Sequence, residues 1–248
     1  MIPKKIHYCW FGGKPLPKSA LKCIESWHKY LPDYEIVRWD ESNFDVNSIP
    51  YTAEAYKAKK YAFVSDYARF YILYHEGGIY FDTDVEVIRP FDDIIAKGPF
   101  MGCEHRYKEN GTPEDLGVAP GLGLGVEAGH LIIKELLKNY EGLHYILSDG
   151  SANKDNIVIY TSKCLCKFGL RNTPMIQSIE GIHIYPVDYF CPISTEDGRL
   201  RITQNTRSIH HYDQSWQSPL RNYGRKLILK LGGVQLKDSL KSLLIGKQ

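Results

Sequence analysis

The stretch Tyr61-Ala-Phe-Val-Ser-Asp-Tyr-Ala-Arg-Phe-Tyr-Ile-Leu-Tyr-His-Glu-Gly-Gly-Ile-Tyr-Phe-Asp-Thr-Asp-Val-Glu-Val-Ile88 decides the fold. It reads as a helix, a glycine turn, a strand and a pair of acids at the strand's end. Phe63, Tyr67, Phe70 and Tyr74 recur at helical spacing and mark a buried face. Asp66 lies one turn from both Phe63 and Phe70 and points to that apolar side, with Arg69 one turn further and within its reach. Gly77-Gly78 ends the helix, since glycine tolerates the positive φ a helix end asks for. Ile79-Tyr80-Phe81 is a short apolar run of buried-strand type. Asp82-Thr83-Asp84 follows directly, and Val85, Val87 and Ile88 resume the strand pattern.

An isolated Asp-x-Asp is a weak signal and is usually a solvated turn. Here it follows an apolar strand and a helix that carries a buried acid and an arginine. Two carboxylates at the end of an interior strand repel each other unless a cation lies between them. Hard divalent ions such as Mg²⁺ or Mn²⁺ take oxygen ligands, often carboxylates together with substrate phosphates.

Ser65-Asp66-x-x-Arg69 followed by Gly77-Gly78-x-Tyr80-x-Asp82-x-Asp84 resembles the signature of the DXD-containing sugar transferases, glycosyltransferase family 32. That family includes capsular-polysaccharide enzymes, and its core is similar to the glucosylating domains of the large clostridial toxins. The resemblance covers roughly residues 2 to 105, with a weaker echo near 183 to 216. It implies an α/β fold of the GT-A type, a mainly parallel sheet flanked by helices. It also implies a retaining transfer from a nucleotide-diphosphate sugar, in the first place a UDP-sugar, with Mn²⁺ or Mg²⁺ as cofactor. In the toxin-type domains an aromatic at the position of Trp10 stacks on the base, and Ile6-His-Tyr-Cys-Trp-Phe-Gly-Gly13 matches that segment. By the same resemblance Asp84 is expected to ligate the metal and Asp82 to reach the ribose or a metal-bound water. Asp66 is expected to accept from hexose hydroxyls and Arg69 to steady the phosphate. His7, Tyr80, Glu104 and Trp216 complete the expected substrate-binding set.

Composition fits this reading without carrying it. A chain of 248 residues holds one large α/β domain or two small ones, and 43% hydrophobic with 24% charged residues is ordinary for a globular protein. The net charge of +2 gives no reason to expect a nucleic-acid partner. The 18 tyrosines suit a carbohydrate site, though amphipathic core packing accounts for most of them. Cys9, Cys23, Cys103, Cys164, Cys166 and Cys191 are scattered, and only Cys164-x-Cys166 is close, with no second pair to complete a zinc site. Free thiols fit a reducing cytoplasm. Met1-Ile-Pro-Lys-Lys5 leads into no long apolar run, so neither a signal peptide nor a spanning helix is expected.

In chain order, Lys5 to Phe11 reads as a first strand closed by Gly12-Gly13. Ala20, Leu21, Ile24, Trp27 and Leu31 fit one helix face, and Tyr34 to Trp39 is a second strand. Strand–helix–strand predicts a right-handed crossover and parallel strands, with ligands beyond their carboxyl ends, where His7, Trp10 and Gly12-Gly13 sit. One long helix is expected from about Tyr51 to His75, with Lys57, Lys59 and Lys60 on a solvated face. A short helix follows Arg89-Pro90, and Pro99 to Glu104 is another short strand that Glu104 ends. Residues 105 to 121 read as a loop. Asn110-Gly-Thr112 has the form of a glycosylation sequon, which means nothing in a protein that is not secreted. Gly121-Leu-Gly-Leu-Gly125 lacks the Lys-Ser/Thr of a P-loop and reads as a wall of an acceptor pocket or a turn packed closely on the sheet. Helices are expected over Leu131 to Tyr140 and Ile157 to Phe168, and a late strand and loop over Gly181 to Phe190.

Ser208-Ile-His-His-Tyr-Asp-Gln-Ser-Trp216 is the second site element. Neighbouring strand residues face opposite ways, so one of the two histidines can serve the site. The His211-Tyr212…Ser215-Trp216 pattern resembles the late metal-binding segment of retaining sugar transferases, and His211 is the expected ligand, with His210 the alternative. Residues 1–220 are read as the GT-A domain and 221–248 as a basic amphipathic tail. Leu227, Ile228, Leu231 and Val234 alternate there with cationic residues, then Leu236, Leu240, Leu243 and Leu244 follow at helical spacing. Such a tail either packs on the domain or touches an anionic membrane peripherally at its inner face.

The expected function is therefore a metal-dependent hexosyltransferase of surface (capsular) polysaccharide synthesis, cytoplasmic, acting from a nucleotide sugar onto a glycan or lipid-linked acceptor. Its rivals are a metal-dependent phosphoesterase, which usually gathers more acids than this one pair, and a non-catalytic nucleotide-sugar-binding protein.

Overall fold

The computed structural model describes residues 1–153, 155–194 and 197–213. The tail expected over 221–248, the boundary drawn at 220, and Trp216 lie outside the described residues. The described elements are β1 (Lys5–Cys9), α1 (Lys18–Tyr30), β2 (Glu35–Trp39), α2 (Pro50–Lys57), α3 (Tyr61–Glu76), β3 (Gly78–Tyr80) and β4 (Val85–Val87). After them come α4 (Asp92–Ile95), β5 (Phe100–Gly102), β6 (Leu124–Val126), α5 (Leu131–Lys138), α6 (Ile157–Lys167), β7 (Gln177–Ile179), β8 (Ile182–Tyr185), α7 (Val187–Phe190) and β9 (Ser208–His210).

Seven strands form one sheet in the order β2-β1-β3-β6-β5-β8-β7. β1 pairs in parallel with β2 and β3, and β5 with β8, while β6 and β7 run antiparallel to their neighbours. Five of the seven strands thus point one way, the mainly parallel, helix-flanked sheet expected of the GT-A type. Strand alternation feeds two cores. Tyr80, Met101, Leu124 and Ile184 face one side, where α2, α3, α5 and α6 lie. Ile6, Ile79, Phe81, Phe100 and Tyr185 face the other, against α1, α4 and α7. Both faces of the sheet are covered, which is why its strands read as continuous apolar runs. Helix α3 is enclosed on several sides. Val64, Ala68, Phe70, Ile72 and Leu73 are buried, so its apolar surface is wider than a single stripe, as for a helix packed on several sides.

Helix formation differs from expectation at α7, where a loop was expected, in the 105–121 loop, which holds two short 3-10 turns, and before α3. The single helix foreseen from Tyr51 to His75 is two, because Lys59 adopts a left-handed φ of 57° and the Lys60 N–H closes back on the Ala55 carbonyl at 2.8 Å. The break lets Tyr51 and Ala55 turn into the core while α3 runs along the sheet. Two strands were also unforeseen: β6, inside the glycine run, and β7. Gly125 sits in β6 because a Cβ there would fall 2.2 Å from the Phe100 ring.

A second, two-stranded antiparallel ribbon joins β4 to β9, with Val85 opposite His210 and Val87 opposite Ser208. It brings the late histidine segment to the carboxyl end of β3. All six cysteines are free, and five are buried. Among the described residues no helix is long and apolar enough to cross a membrane.

Candidate active site

The two acids leave the sheet at the carboxyl end of β3, beside the carboxyl end of β1, to which β3 is parallel. This is where ligands collect in α/β sheets. Asp82 is fixed from three sides. Its backbone N–H donates to the Gly121 carbonyl at 3.0 Å, the Tyr80 hydroxyl donates to Oδ1 at 3.2 Å, and Arg69 Nη2 lies 3.3 Å from the same oxygen. Gly121 is there of necessity: a Cβ would stand 2.0 Å from Asp82 Oδ2 and 3.0 Å from Arg69 Nη1. Of the two readings of the glycine run, the turn packed closely on the sheet is the one observed.

Arg69 is buried in α3 and gathers the acids. Its Nη2 donates to Asp66 Oδ1 at 3.0 Å, its Nε to the Ser65 carbonyl at 3.1 Å, and its guanidinium lies 4.7 Å from the Tyr80 ring centroid. The Nη1 atom is buried and has no partner among the described residues. A buried guanidinium between two carboxylates stays charged despite the cost of burial, because Asp82 and Asp66 hold it so. Burial pushes the Asp66 carboxyl up to about 7, with Arg69 pulling against it.

Asp84 is held by the late segment. His210 Nε2 lies 3.0 Å from Asp84 Oδ1, the Asp213 backbone N–H donates to Oδ2 at 2.9 Å, and the His211 N–H donates to the Asp84 carbonyl at 3.0 Å. Burial alone would raise the Asp84 carboxyl; the His210 ring and the Asp213 N–H bring it down to about 2. The same contact works on His210 in reverse: burial lowers it, and Asp84 more than compensates.

Asp82, Asp84 and His210 offer ligand atoms that all lie within 4.8 Å of one another. Two carboxylates suit a hard divalent ion, and the imidazole tilts the set from Mg²⁺ toward Mn²⁺. The expected histidine, His211, is not part of this group. It turns to the other side of β9 and meets Glu86 Oε2 at 2.8 Å. Alternation selects one of two neighbours, and the β4–β9 register decides which.

The other expected contacts divide. His7 is a correction: it is fully buried, its Nε2 bonding the Gly77 carbonyl at 2.9 Å and its Nδ1 accepting from Trp39 Nε1 at 3.0 Å. Burial lowers it to about 4, so it stays neutral, and neither ring nitrogen faces the cleft. Tyr80 is also buried, its hydroxyl bonding Asp82 and the Cys9 thiol and its ring lying against Arg69. Trp10 is half-buried at the end of β1, its indole N–H donating to the Lys14 carbonyl at 2.6 Å. Glu104 stands just beyond β5, half-buried, 3.5 Å from the Tyr212 hydroxyl and 3.3 Å from His105 Nε2. The Tyr212 ring in turn packs on His210 at 4.2 Å. Residues missed from the sequence are Gly121, Tyr212 and the Asp213 N–H. The first carried a signal, a glycine-dense run with no phosphate-loop pattern; Tyr212 stands in the late segment singled out in the sequence but was given no role of its own, and a backbone N–H carries none.

Two open clefts adjoin this region. One, of about 450 Å³, is floored by Glu104 and walled by Gly117, Asn156, Ile159 and Ser162. The other, of about 370 Å³, lies beyond His105 between Tyr107, Met175 and Asp188.

Residues 17–101 match the family described as the glycosyltransferase sugar-binding region containing DXD motif. That span holds Asp66, Arg69, Asp82 and Asp84, and it ends before Glu104 and His210. Over 142 residues the chain is 36% identical to inositol phosphoceramide mannosyltransferase 3 of Schizosaccharomyces pombe, covering 56% of this chain and 37% of that protein. It is 31% identical over 137 residues to the initiation-specific alpha-1,6-mannosyltransferase of Candida albicans, covering 51% and 32%. The chain thus spans well under half the length of these two relatives. A longer alignment, 219 residues at 26% identity, covers 79% of the chain and 80% of the uncharacterized glycosyltransferase L373 of Acanthamoeba polyphaga mimivirus. Among solved structures the PaToxG glycosyltransferase superposes with a TM-score of 0.48 at 20% identity, covering 67% of this chain and 69% of that one. Residues 17–101 are thus similar to the DXD-containing glycosyltransferase sugar-binding region.

Proposed function

We propose that this protein is a retaining glycosyltransferase that moves a hexose from a nucleotide-diphosphate sugar to a glycan or lipid-linked acceptor, in a divalent-cation-dependent reaction of surface polysaccharide synthesis. The observation that carries the proposal is the convergence of Asp82, Asp84 and His210 at the carboxyl end of β3, inside a chain whose Asp-x-Asp region matches that family. The names of the two yeast relatives make mannose the first hexose to try. The nucleotide is UDP or GDP.

Asp82, Asp84 and His210 would hold the cation, which supplies positive charge where the departing diphosphate gathers negative charge. The chain's own residues prepare that place. Tyr80, Gly121 and Arg69 fix the Asp82 carboxylate, so it need not reorganise as charge develops. Asp66 and Arg69, expected at the hexose and the phosphate, are instead buried against each other and Asp82, so the pair acts on the donor through Asp82. Trp10, at the end of β1, is the aromatic offered to the base. A retaining reaction, in which the leaving phosphate takes the acceptor's proton, is what the family resemblance implies.

The test is a screen of UDP- and GDP-sugars for hydrolysis with Mn²⁺, with Mg²⁺ and with excess chelator. Slow hydrolysis of one donor, abolished by chelator, is the expected result. Full activity in chelator, or release of inorganic phosphate from simple esters instead, would overturn the reading.

A further inference from the structure

A transferase of the kind proposed needs a second seat, next to the donor's departing sugar, and nothing so far assigns it. The cleft of about 450 Å³ between the 104–117 loop and the first turns of α6 is of a size typical for small-molecule sites. A relay of contacts ties it to the acids: Asp84 meets His210, the His210 ring packs on Tyr212, and Tyr212 reaches Glu104, which lines the cleft.

The lining says what kind of molecule fits. The carboxylates of Glu104, Glu114 and Asp115 are nearly balanced by Lys108 and Lys163, so the lining offers no net attraction to a diphosphate or a phosphorylated headgroup. Ser162 and Lys163 add hydrogen-bonding groups, and Ile159 gives an apolar wall, 37% exposed. A saccharide has this combination of neutral hydroxyls, which carboxylates accept from, and apolar C–H faces. Glu104 has lone pairs beyond those directed at His105 and Tyr212, since an ionised carboxylate offers about four acceptor sites.

We propose that this cleft is the acceptor subsite, that it takes an uncharged sugar unit, and that Glu104 orients the reacting hydroxyl toward the acid cluster. The inference rests on the glycosyltransferase reading above. The 370 Å³ cleft is not part of it.

The experiment uses the full chain, the donor found by the hydrolysis screen, and the methyl glycosides of mannose, glucose, galactose and N-acetylglucosamine as acceptors. At least one glycoside should be glycosylated in competition with water. Ile159→Trp, which fills the cleft from its exposed wall, should raise that glycoside's KM more than tenfold and the donor's KM less than threefold. Lys163→Glu, a surface change, serves as a second variant should Ile159→Trp misfold, with a rise in acceptor KM of at least threefold expected. Donor hydrolysis without transfer to any glycoside would overturn the sugar assignment. Transfer with unchanged acceptor KM in the variants, or with donor and acceptor KM rising together, would overturn the location. Absence of any donor hydrolysis by the unaltered protein with Mn²⁺ would instead overturn the transferase reading, and this inference with it.

Discussion

At the scale of single residues, the informative contrast is between two neighbours, His210 and His211. One meets Asp84 and the other Glu86, a pair of contacts on opposite sides of one strand. His210→Ala should remove an imidazole from the acid group and cut metal-dependent donor turnover by more than tenfold, raising the Mn²⁺ concentration needed for half activity. His211→Ala removes a half-exposed ion pair, which contributes little, and should leave both quantities within about twofold. Reversal of that order would return the metal to His211. His7 gives a second, separable prediction. His7→Ala leaves the Gly77 carbonyl and the Trp39 indole N–H unpaired, at about 1–3 kcal/mol each. It should lower the melting temperature without changing the donor KM of the folded fraction. It should also flatten the acid limb of the stability curve. His7 is lowered to about 4 from 6.5, so the unfolded chain takes up the proton first as pH falls. Its contribution is complete above pH 6.5 and is lost toward pH 4, about 3 kcal/mol in all. Melting curves between those limits would show the slope in the natural protein and its reduction in the variant, leaving that of the buried His130.

At the scale of elements, the turn before β6 is where the site's floor is set. Gly121 is held to glycine by the Asp82 carboxylate standing over it, and its constraint is steric closeness. Gly121→Ala should displace Asp82 by a fraction of an ångström to an ångström, and misplacement on that scale costs on the order of 100-fold in turnover. Gly129→Ala is the control: its φ of 74° makes alanine strained, yet nothing lies near the added Cβ. It should lower stability and spare turnover. Assays of both variants at one temperature would separate the two effects. Equal losses would mean that Gly121 matters only to folding. The same turn shows what a sequence can and cannot yield. The helix–glycine–strand–acid order of residues 61–88 was legible because each piece carries a local signal: helical spacing, glycine at a helix end, an apolar run. The flanking strands β1, β2 and β5 and the helices α1, α5 and α6 were legible for the same reason. The break at Lys59 was not, because a left-handed lysine without glycine or proline leaves no mark in composition. Nor was the inward role of His7, whose partners Trp39 and Gly77 are supplied by β2 and the end of α3. The choice of His210 depends on register against β4, which lies more than a hundred residues earlier and which alternation alone cannot align.

At the scale of the whole molecule, the candidate metal group ties distant parts of the chain together. Asp82 and Asp84 follow β3, His210 ends β9, and the antiparallel β4–β9 ribbon is their only strand pairing among the described residues. A cation bound by all three would therefore stabilise the folded chain as well as serve the reaction, since an unfolded chain cannot bring the three together. Linkage gives the size: a ligand at one hundred times its dissociation constant adds about 2.7 kcal/mol. For a chain of this length each kcal/mol shifts the melting temperature by roughly 2–4 °C. Saturating Mn²⁺ should thus raise the melting temperature by about 5–11 °C over the chelated protein, with no nucleotide or sugar present. Asp84→Asn should abolish most of that rise, because the amide offers a weaker, uncharged oxygen. Its metal-free melting temperature should fall as well, because the contact with His210 and the Asp213 N–H is weakened. The measurement needs no turnover, so it holds whichever sugar proves to be the donor. A full Mn²⁺ shift in Asp84→Asn would place the stabilising cation elsewhere, and no shift in the natural protein would mean that the three ligands do not form a metal site without the donor's diphosphate.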